Sequence, residues 1–282
     1  MDIAVSTQLE KARAFRALHE RDKPFMIPNP WDAGTARLLA HMGFEALATT
    51  SAGAAFSAGK PDHGVGRDAM LQHVAAAAAA VDLPVSGDLE NGFGDSPQDA
   101  AQTVLLAAAA GLVGCSIEDD SGRADDPIYE TDFAAERVRA AAEAAQALSF
   151  PFMLTARAEN YLHGRADLAD TIKRLQAYQE AGADVLYAPG LARKDDIASV
   201  VRSVDRPVNV LAGFGDPPLD LATLSSLGVR RISVGSALSR AALGAFLRAA
   251  HEMRDSGTFT FTGDAAASRE LNEIFARAAA QS

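Results

Sequence analysis

The chain has 282 residues, 48% of them hydrophobic, and a net charge of −11 from 26 basic and 37 acidic residues. This acidic excess argues against nucleic acid as a partner, because nucleic-acid-binding proteins present a basic patch or stripe. A single cysteine, Cys115, excludes an intrachain disulfide and a multi-thiolate metal site. The charged N-terminus lacks a signal-peptide core, and the longest apolar run, 74–81, is too short to cross a bilayer. We therefore expect a cytoplasmic protein without membrane contact.

Strand and helix patterns alternate along the chain, as in βα units around a parallel sheet. We predict strands over 25–28, 46–50, 84–88, 113–117, 152–155, 185–188, 208–211 and 231–234. Helices are predicted over 31–42, 68–81, 97–110, 133–147, 168–181, 194–203, 220–227 and 237–254. Eight units favour a closed (β/α)8 TIM barrel over an open sheet, since no Gly-x-Gly-x-x-Gly follows the first strand.

The chain ends fall outside these eight units. We predict an N-terminal helical stretch reaching to about residue 17 and a C-terminal helix over 266–280. The C-terminal helix is expected to pack on the barrel or to be swapped with a partner subunit. Residues 1–282 are thus interpreted as one α/β barrel domain with helical extensions.

Acidic residues gather at two neighbouring strand ends, which is where barrel enzymes place their chemistry. Asp88 and Glu90 follow the third strand, and Glu118 follows the fourth. These carboxylates would repel one another in a partly desolvated site unless a cation lay among them. Because these residues offer oxygen ligands, we predict that the cation is Mg²⁺, with Mn²⁺ as the alternative. Asp88 would bind the ion directly, and Glu90 and Glu118 would hold metal-bound waters. Asp95 and Asp120 are interpreted as solvated or capping residues.

An arginine, Arg157, ends the fifth strand, where an unpaired guanidinium would be costly. It would bind a substrate carboxylate or phosphonate, or pair with Glu159 or Glu118 at the barrel rim. No lysine ends a strand, which argues against a Schiff-base aldolase. Zinc sites of aldolases need clustered histidines, and the histidines of this chain are not clustered in the sequence, which argues against zinc chemistry. His163 is interpreted as a surface loop residue. Electrophilic catalysis by a hard metal on a small oxygen-rich anion remains.

Five sequence blocks between about residues 28 and 243 occur in a characteristic order: NPWDAGTARLLAHMGFEALATTSAG, GKPD, SGDLENGFG, SIEDD and TARAE. In content and order they resemble the isocitrate lyase/phosphoenolpyruvate mutase superfamily. The resemblance implies a (β/α)8 barrel, often with its last helix exchanged between subunits. It also implies a homo-oligomer, a dimer or tetramer, in which Mg²⁺ binds an α-oxo carboxylate or enolate.

The resemblance also suggests residue roles. It implies a loop aspartate at Asp62 that orders a metal-bound water, and it places Glu90 where the family usually has aspartate. The resulting catalytic residues are Asp62, Arg157 and Glu118; the substrate-binding residues are Thr50, Ser51, Gly53, Arg157 and Asn209; the metal residues are Asp88, Glu90 and Glu118.

The loop after the fourth strand departs from the family pattern. Classical isocitrate and methylisocitrate lyases carry Lys-Lys-Cys-Gly-His there, with the cysteine as proton donor, whereas residues 120–127 of this chain contain neither cysteine nor lysine. The lysine and asparagine of the phosphonomutases are also missing from this loop. The proton donor and the role of Arg123 therefore stay open.

We expect a Mg²⁺-dependent carbon–carbon lyase that cleaves or decarboxylates a small 2-oxo or 2-hydroxy carboxylate, such as oxaloacetate or methylisocitrate, through a metal-stabilised enolate. One alternative is P–C chemistry, as a phosphonopyruvate or phosphoenolpyruvate mutase or hydrolase. Another is a non-catalytic 2-oxo acid-binding protein. A phosphate site at Gly235-Ser236 is a weaker option, because the acidic residues would repel phosphate unless a metal were bound.

Overall fold

A computed structural model describes residues 6–279. Within this range the strands are β1 (Phe25–Met26), β2 (Leu47–Ala48), β3 (Val85–Asp88), β4 (Gly114–Glu118), β5 (Met153–Arg157), β6 (Val185–Tyr187), β7 (Val208–Leu211) and β8 (Arg231–Ser233). Each overlaps one strand predicted from the sequence. The predicted alternation of strands and helices is therefore confirmed.

The eight strands form one parallel sheet in the order β1-β8-β7-β6-β5-β4-β3-β2. The sheet curls until its edge strands meet, since the Ala48 amide in β2 donates to the Pro28 carbonyl just after β1, at 3.1 Å. A curled parallel sheet with alternating helices is the arrangement of a (β/α)8 barrel. The carboxyl ends of all eight strands thus face the same side.

The helices occupy most of the remaining chain. They are α1 (Gln8–Glu20), α2 (Ala33–His41), α3 (Ser51–Ser57), α4 (Arg67–Ala79), α5 (Pro97–Ala109), α6 (Thr131–Gln146), α7 (Leu168–Glu180), α8 (Lys194–Ser203), α9 (Leu221–Ser226), α10 (Ala237–Ser256) and α11 (Ser268–Ala279), with a 3-10 turn over Thr260–Asp264. Side-chain caps fix several starts; Asp32, for example, accepts from the Thr35 amide at 2.7 Å at the start of α2.

Helix α3 corrects the sequence interpretation, which treats the segment after β2 as a loop. Thr50 caps this helix, because its Oγ1 accepts from the Gly53 amide at 3.3 Å. Residues 51–55 are all buried, and the helix has only seven residues, so its sequence shows no amphipathic period. A short buried helix of this kind cannot be distinguished from a buried loop by periodicity.

Helix α1 closes the amino-terminal end of the barrel. Phe15 is fully buried and packs edge-on against His19 and Phe25, with ring centroids 4.7 and 6.3 Å apart. Burial lowers the pKa of His19 to about 3, so the imidazole is neutral among these aromatic side chains. The opposite end of the barrel is left for the functional site.

The C-terminal segment is less deeply packed. Only Ser239 is buried among the 20 residues of α10. Helix α11 packs against α2 of the same chain, where the Phe275 ring lies close to Gly34. The predicted helix extends to residue 280, which lies outside the described residues. Among the helices of the described range, none is long and apolar enough to cross a membrane.

Asn29 joins the two edges of the curled sheet. Its Oδ1 accepts from the Val234 and Gly235 amides after β8, at 3.0 and 2.9 Å, and its Nδ2 donates to the Thr49 carbonyl after β2, at 3.1 Å. The side chain is only 5% exposed, so water does not replace these bonds if they are lost.

We expect Asn29→Ala to lower the free energy of unfolding by about 3 kcal/mol, because it leaves buried amides and a buried carbonyl without partners. Urea denaturation followed by circular dichroism measures this loss. Asn272→Ala, at an exposed position of α11, is the matched control and should change stability by less than about 0.5 kcal/mol. Equal stability of the two variants would contradict the role assigned to Asn29.

Candidate active site

The open end of the barrel is organised around one guanidinium, that of Arg157 at the end of β5. Its Nη1 lies 2.8 Å from Asp88 Oδ1 and 2.9 Å from Glu118 Oε2, and its Nε lies 2.9 Å from Glu159 Oε1. Burial disfavours the charged guanidinium, yet these carboxylates raise the pKa of Arg157 well above its ordinary value. Of the two roles that the sequence leaves open, the structure shows pairing with acidic neighbours.

This cluster carries more negative than positive charge. Three carboxylates share the one guanidinium, and the Glu118 and Glu159 side chains are only 3% and 4% exposed. Burial raises the pKa of both glutamates against the opposing effect of Arg157. A second cation or a retained proton would offset the excess charge.

Asp88 is held in a fixed orientation from the start of α3. Its Oδ2 accepts from both the amide and the hydroxyl of Ser51, each at 2.9 Å, and its Oδ1 lies 3.3 Å from the Ser116 hydroxyl. The Asp88 amide in turn donates to Thr49 Oγ1 at 3.0 Å. Ser51, predicted as a substrate-binding residue, therefore contacts the predicted metal ligand.

A cavity of about 210 Å³ opens beside this cluster. The predicted site residues that line it are Thr50, Ser51, Asp62, Asp88 and Arg157. Gly53 lies behind the lining, where a Cβ would come within 2.8 Å of Trp31 Cβ. Asn209 is 1% exposed and donates to the Ser233 hydroxyl at 3.0 Å.

A second row of titratable groups lies along the edge of the site. Glu90 Oε2 is 3.5 Å from His63 Nδ1, and Asp120 Oδ2 lies 4.0 Å from His63 Nε2 and 2.8 Å from His163 Nε2. The hydrogen bond to Glu90 is the largest cause that raises the pKa of His63 to about 10. Burial raises the pKa of Glu90, while the imidazole opposes that shift.

The structure therefore corrects two sequence interpretations. Asp120 is not a solvated residue, since it is 7% exposed and contacts two imidazoles. His163 is not an isolated surface residue, because it is hydrogen-bonded to Asp120. The two side chains come from loops 43 positions apart, and only the ends of β4 and β5 bring them together.

Carboxylate and imidazole atoms converge closely enough to hold a metal ion. One ligand atom each from His63, Glu118 and Asp120 lies within 4.8 Å of the others. Glu118 is shared with the predicted metal set, whereas Asp88 is engaged by Arg157 and Ser51. Glu90 contributes a buried Oε1 that has no hydrogen-bond partner in the part of the chain that the structure describes. The predicted set of Asp88, Glu90 and Glu118 thus stays a prediction that the geometry allows.

Arg123 of the loop after β4 points away from this site. Its Nη1 lies 3.0 Å from Asp95, and its guanidinium stacks on the Tyr129 ring at 5.5 Å. Asp95 also accepts from the Tyr129 hydroxyl at 2.5 Å. In this conformation Arg123 ties the loop to its neighbours and does not reach the cavity.

Sequence reasoning missed one charged residue of the cavity wall, Arg231 at the start of β8. It is 4% exposed and lines the same cavity as Arg157. A signal was available, since Arg231 and Ser233 are two positions apart in a predicted strand and so share a face with each other but not with Ile232.

Comparison with known proteins places these features in a family. A model of the family described as phosphoenolpyruvate phosphomutase matches residues 15–254. The Mycobacterium tuberculosis protein Rv1998c, described as uncharacterized, is 35% identical over 244 residues, covering 86% of this chain and 89% of the relative. Escherichia coli 2-methylisocitrate lyase is 31% identical over 216 residues, covering 73% and 72%. Oxaloacetate decarboxylase of Pseudomonas savastanoi pv. phaseolicola is 28% identical over 250 residues, covering 86% and 84%.

Solved structures agree with the fold. A Burkholderia cenocepacia J2315 protein provisionally assigned as a lyase/mutase is 64% identical, with a TM-score of 0.93 over 95% of this chain and 96% of its own. A second protein of that organism, provisionally assigned as a phosphonomutase, is 34% identical, with a TM-score of 0.81 over 87% and 99%.

We expect Arg157→Met to lower the free energy of unfolding by about 4 kcal/mol at neutral pH, because it leaves two buried carboxylates and the partly buried Asp88 without their cation. The loss should shrink as the pH falls towards 5. Without the guanidinium, the pKa of Glu118 and Glu159 rises further, so the folded form takes up more protons than the unfolded form.

Denaturation in urea at pH 5.0, 6.0 and 7.5 checks this dependence. The exposed Arg165→Met serves as the control and should show no such trend. A deficit for Arg157→Met that stays constant with pH would count against the shared-charge account.

Proposed function

The chain belongs to the phosphoenolpyruvate phosphomutase family, in the PEP mutase/isocitrate lyase superfamily, and we propose that it is a divalent-metal-dependent carbon–carbon lyase. Its substrate would be a small 2-oxo or 2-hydroxy carboxylate. The observation that carries the proposal is the cluster of Asp88, Glu118 and Arg157 at the wall of a small cavity, at the carboxyl ends of the strands. With a divalent cation bound among these carboxylates, the site would support reactions in which negative charge develops on a substrate oxygen.

The names of two relatives favour breakage of a carbon–carbon bond. One relative is a 2-methylisocitrate lyase, and another is an oxaloacetate decarboxylase. In both reaction types, electrons from the broken bond are left beside a carbonyl group as an enolate. The shared requirement is a positive charge near the enolate oxygen.

The donor set fits Mg²⁺ or Mn²⁺. Carboxylate oxygens dominate the cluster, and hard divalent cations prefer oxygen ligands. The partnerless Oε1 of Glu90 supports this reading, because a buried carboxylate oxygen without a donor is open to a cation or its water. Asp88 would hold the ion directly, and Glu90 and Glu118 through water. When bound, the ion would supply positive charge to the substrate oxygens.

The protein's own groups would position the carboxylate. Among the described residues, no acceptor is bonded to Nη2 of Arg157, so one edge of the guanidinium is left for a substrate carboxylate. Thr50 and Ser51 line the cavity beside Asp88 and would contact the remaining oxygens. Asp62, also in the lining, has its pKa raised by burial and would orient a water molecule.

The proton that restores the product would come from the imidazoles beside Glu90 and Asp120. The loop 120–127 has no thiol, whereas His63 Nδ1 lies 3.5 Å from Glu90 Oε2. Asp120 links it electrostatically to His163. We propose that this pair of imidazoles replaces the lid cysteine of the classical lyases as the proton source.

P–C chemistry is the second candidate, and the 34% identity to a protein provisionally assigned as a phosphonomutase favours it. Phosphonopyruvate offers a similar 2-oxo carboxylate to Arg157 and Thr50. Incubation with phosphonopyruvate and phosphorus NMR separate the two functions, since release or migration of phosphorus replaces carbon–carbon cleavage. Binding of 2-oxo acids without any product would instead indicate a binding protein.

We also propose that the chain forms a homo-oligomer through α10. Large apolar side chains of this helix are exposed, with Phe246 at 68% and Leu247 at 55%. Apolar surface of this kind on a long helix is typical of a subunit interface. The exchange of the last helix that the family resemblance implies would cover the same surface.

We expect Phe246→Glu to shift the protein from an oligomer to a monomer, because it introduces a charge into an apolar interface. Size-exclusion chromatography with light scattering measures the mass directly. Arg248→Gln, at an exposed position of the same helix, is the control for a charge change. A wild-type protein that is monomeric at micromolar concentration would refute the proposed interface.

We expect Asp88→Ala to reduce metal-dependent turnover at least about a hundredfold, since it removes the predicted direct ligand. The assay is product detection with oxaloacetate, methylisocitrate, isocitrate and alkylated malates, each with and without Mg²⁺. Asp82→Ala, at an exposed position before the start of β3, is the matched control. Unchanged Mg²⁺-dependent turnover in Asp88→Ala would reject the proposed site.

A further inference from the structure

Arg231 is a buried cation that the proposed mechanism does not use. It stands at the start of β8, is 4% exposed, and lines the cavity that contains Asp88 and Arg157. Its one hydrogen bond to a described residue runs from Nη1 to the neutral Thr155 hydroxyl, at 2.8 Å. Its Nε is buried and has no hydrogen-bond partner within residues 6–279.

The two arginines of the cavity differ sharply in their partners. Arg157 is bonded to three carboxylates, whereas Arg231 forms no ion pair with any carboxylate of the described residues. Burial lowers the pKa of Arg231 to about 10, with Arg157 adding to the shift, so the group stays protonated at neutral pH. An uncompensated charge of this kind destabilises the folded protein.

No carboxylate of the described residues is bonded to Arg231. Its register neighbour on β7 is Asn209, and the next inward position of β8 is Ser233, both neutral. Asp88 is close enough to raise the pKa of Arg231, but its oxygens are bonded to Arg157 and Ser51. An anion that enters the cavity would supply the direct partner that Arg231 lacks.

We propose that Arg231 binds the second acidic group of the substrate and thereby determines which small carboxylates the site accepts. The inference rests on the proposed function: one carboxylate lies against Arg157 and Thr50, and the second carboxylate reaches the guanidinium of Arg231. A small cavity restricts the chain between the two acids to a few carbon atoms. Arg231 is thus a specificity-determining residue in contact with the substrate.

A purely structural role and a ligand-binding role for Arg231 predict opposite effects of its replacement on the stability of the ligand-free protein. If its bond to Thr155 served to tie β8 to β5, replacing it would weaken the fold. If instead the charge is kept for a ligand, Arg231→Met should stabilise the empty protein, because an apolar side chain of similar size replaces an unpaired buried cation. Sites built for ligands commonly carry such a stability cost.

The test compares malate with lactate, since the two 2-hydroxy acids differ by one carboxylate. Their affinities for wild-type protein, Arg231→Met and Arg231→Lys are measured calorimetrically in the presence of Mg²⁺, and melting temperatures are measured without ligand. Arg230→Met is the matched control, because Arg230 precedes Arg231 in the chain but is 35% exposed and pairs with Asp22.

We expect wild-type protein to prefer malate, and Arg231→Met to bind malate about 30-fold more weakly, with lactate unchanged. Arg231→Lys should keep part of the preference. The melting temperature of ligand-free Arg231→Met should rise by about 3 °C. Arg230→Met should reproduce neither the loss of malate binding nor the gain in stability.

The outcomes separate this inference from the proposed function. Wild-type protein that binds malate and lactate equally, or an Arg231→Met variant that melts lower and keeps its malate affinity, would overturn the role of Arg231 alone. Wild-type protein that binds neither acid would overturn the proposed function, and this inference with it.

Discussion

The charge shared between Arg157 and three carboxylates, two of them buried, constrains the whole open end of the barrel. Each carboxylate is well hydrated in the unfolded chain, and bringing them together in a desolvated site is unfavourable unless a cation lies between them. Arg157 supplies that cation at distances of 2.8–2.9 Å. One guanidinium cannot balance three carboxylates, so the folded site retains an affinity for further positive charge.

Strand geometry decides which acidic residues join this cluster. Glu118, Asp119 and Asp120 are consecutive, yet alternation along the strand sends Glu118 to Arg157 and Asp119 to the other face. There Asp119 accepts from Arg174 at 3.1 Å and from the Tyr178 hydroxyl at 2.5 Å, which fastens β4 to α7. The same short segment therefore builds the site on one side and anchors a supporting helix on the other.

The sequence predicted those features that depend on local pattern. The pattern of parallel strands, three of which end in Asp88, Glu118 and Arg157, suffices to place these residues on one side of the sheet, and the structure brings the three together. Helix α3 was not predictable, because its apolar residues leave no helical period. The contact between Asp120 and His163 depends on two loops meeting in space, and no local pattern encodes such a meeting.

Two positions show a further limit of local reasoning. His63 and Glu90 both adopt positive φ angles, of 58° and 50°, which residues other than glycine seldom do. Surrounding structure must hold these backbones, so the pairing of His63 with Glu90 follows from the assembled barrel rather than from either loop alone. Strain of this kind is concentrated at functional sites.

The comparison of the two arginines leads one step further. The position of Arg157 at the end of a strand predicts that it binds the substrate. In the folded protein, however, carboxylates already surround its guanidinium. Arg231, hidden inside a strand pattern, has its charge uncompensated and faces the same cavity. The two arginines therefore differ in role. Arg157 holds the acidic cluster together and offers one edge of its guanidinium to a ligand. Arg231 is not bonded to a carboxylate of the described residues, so it has no protein anion to release before it binds a ligand.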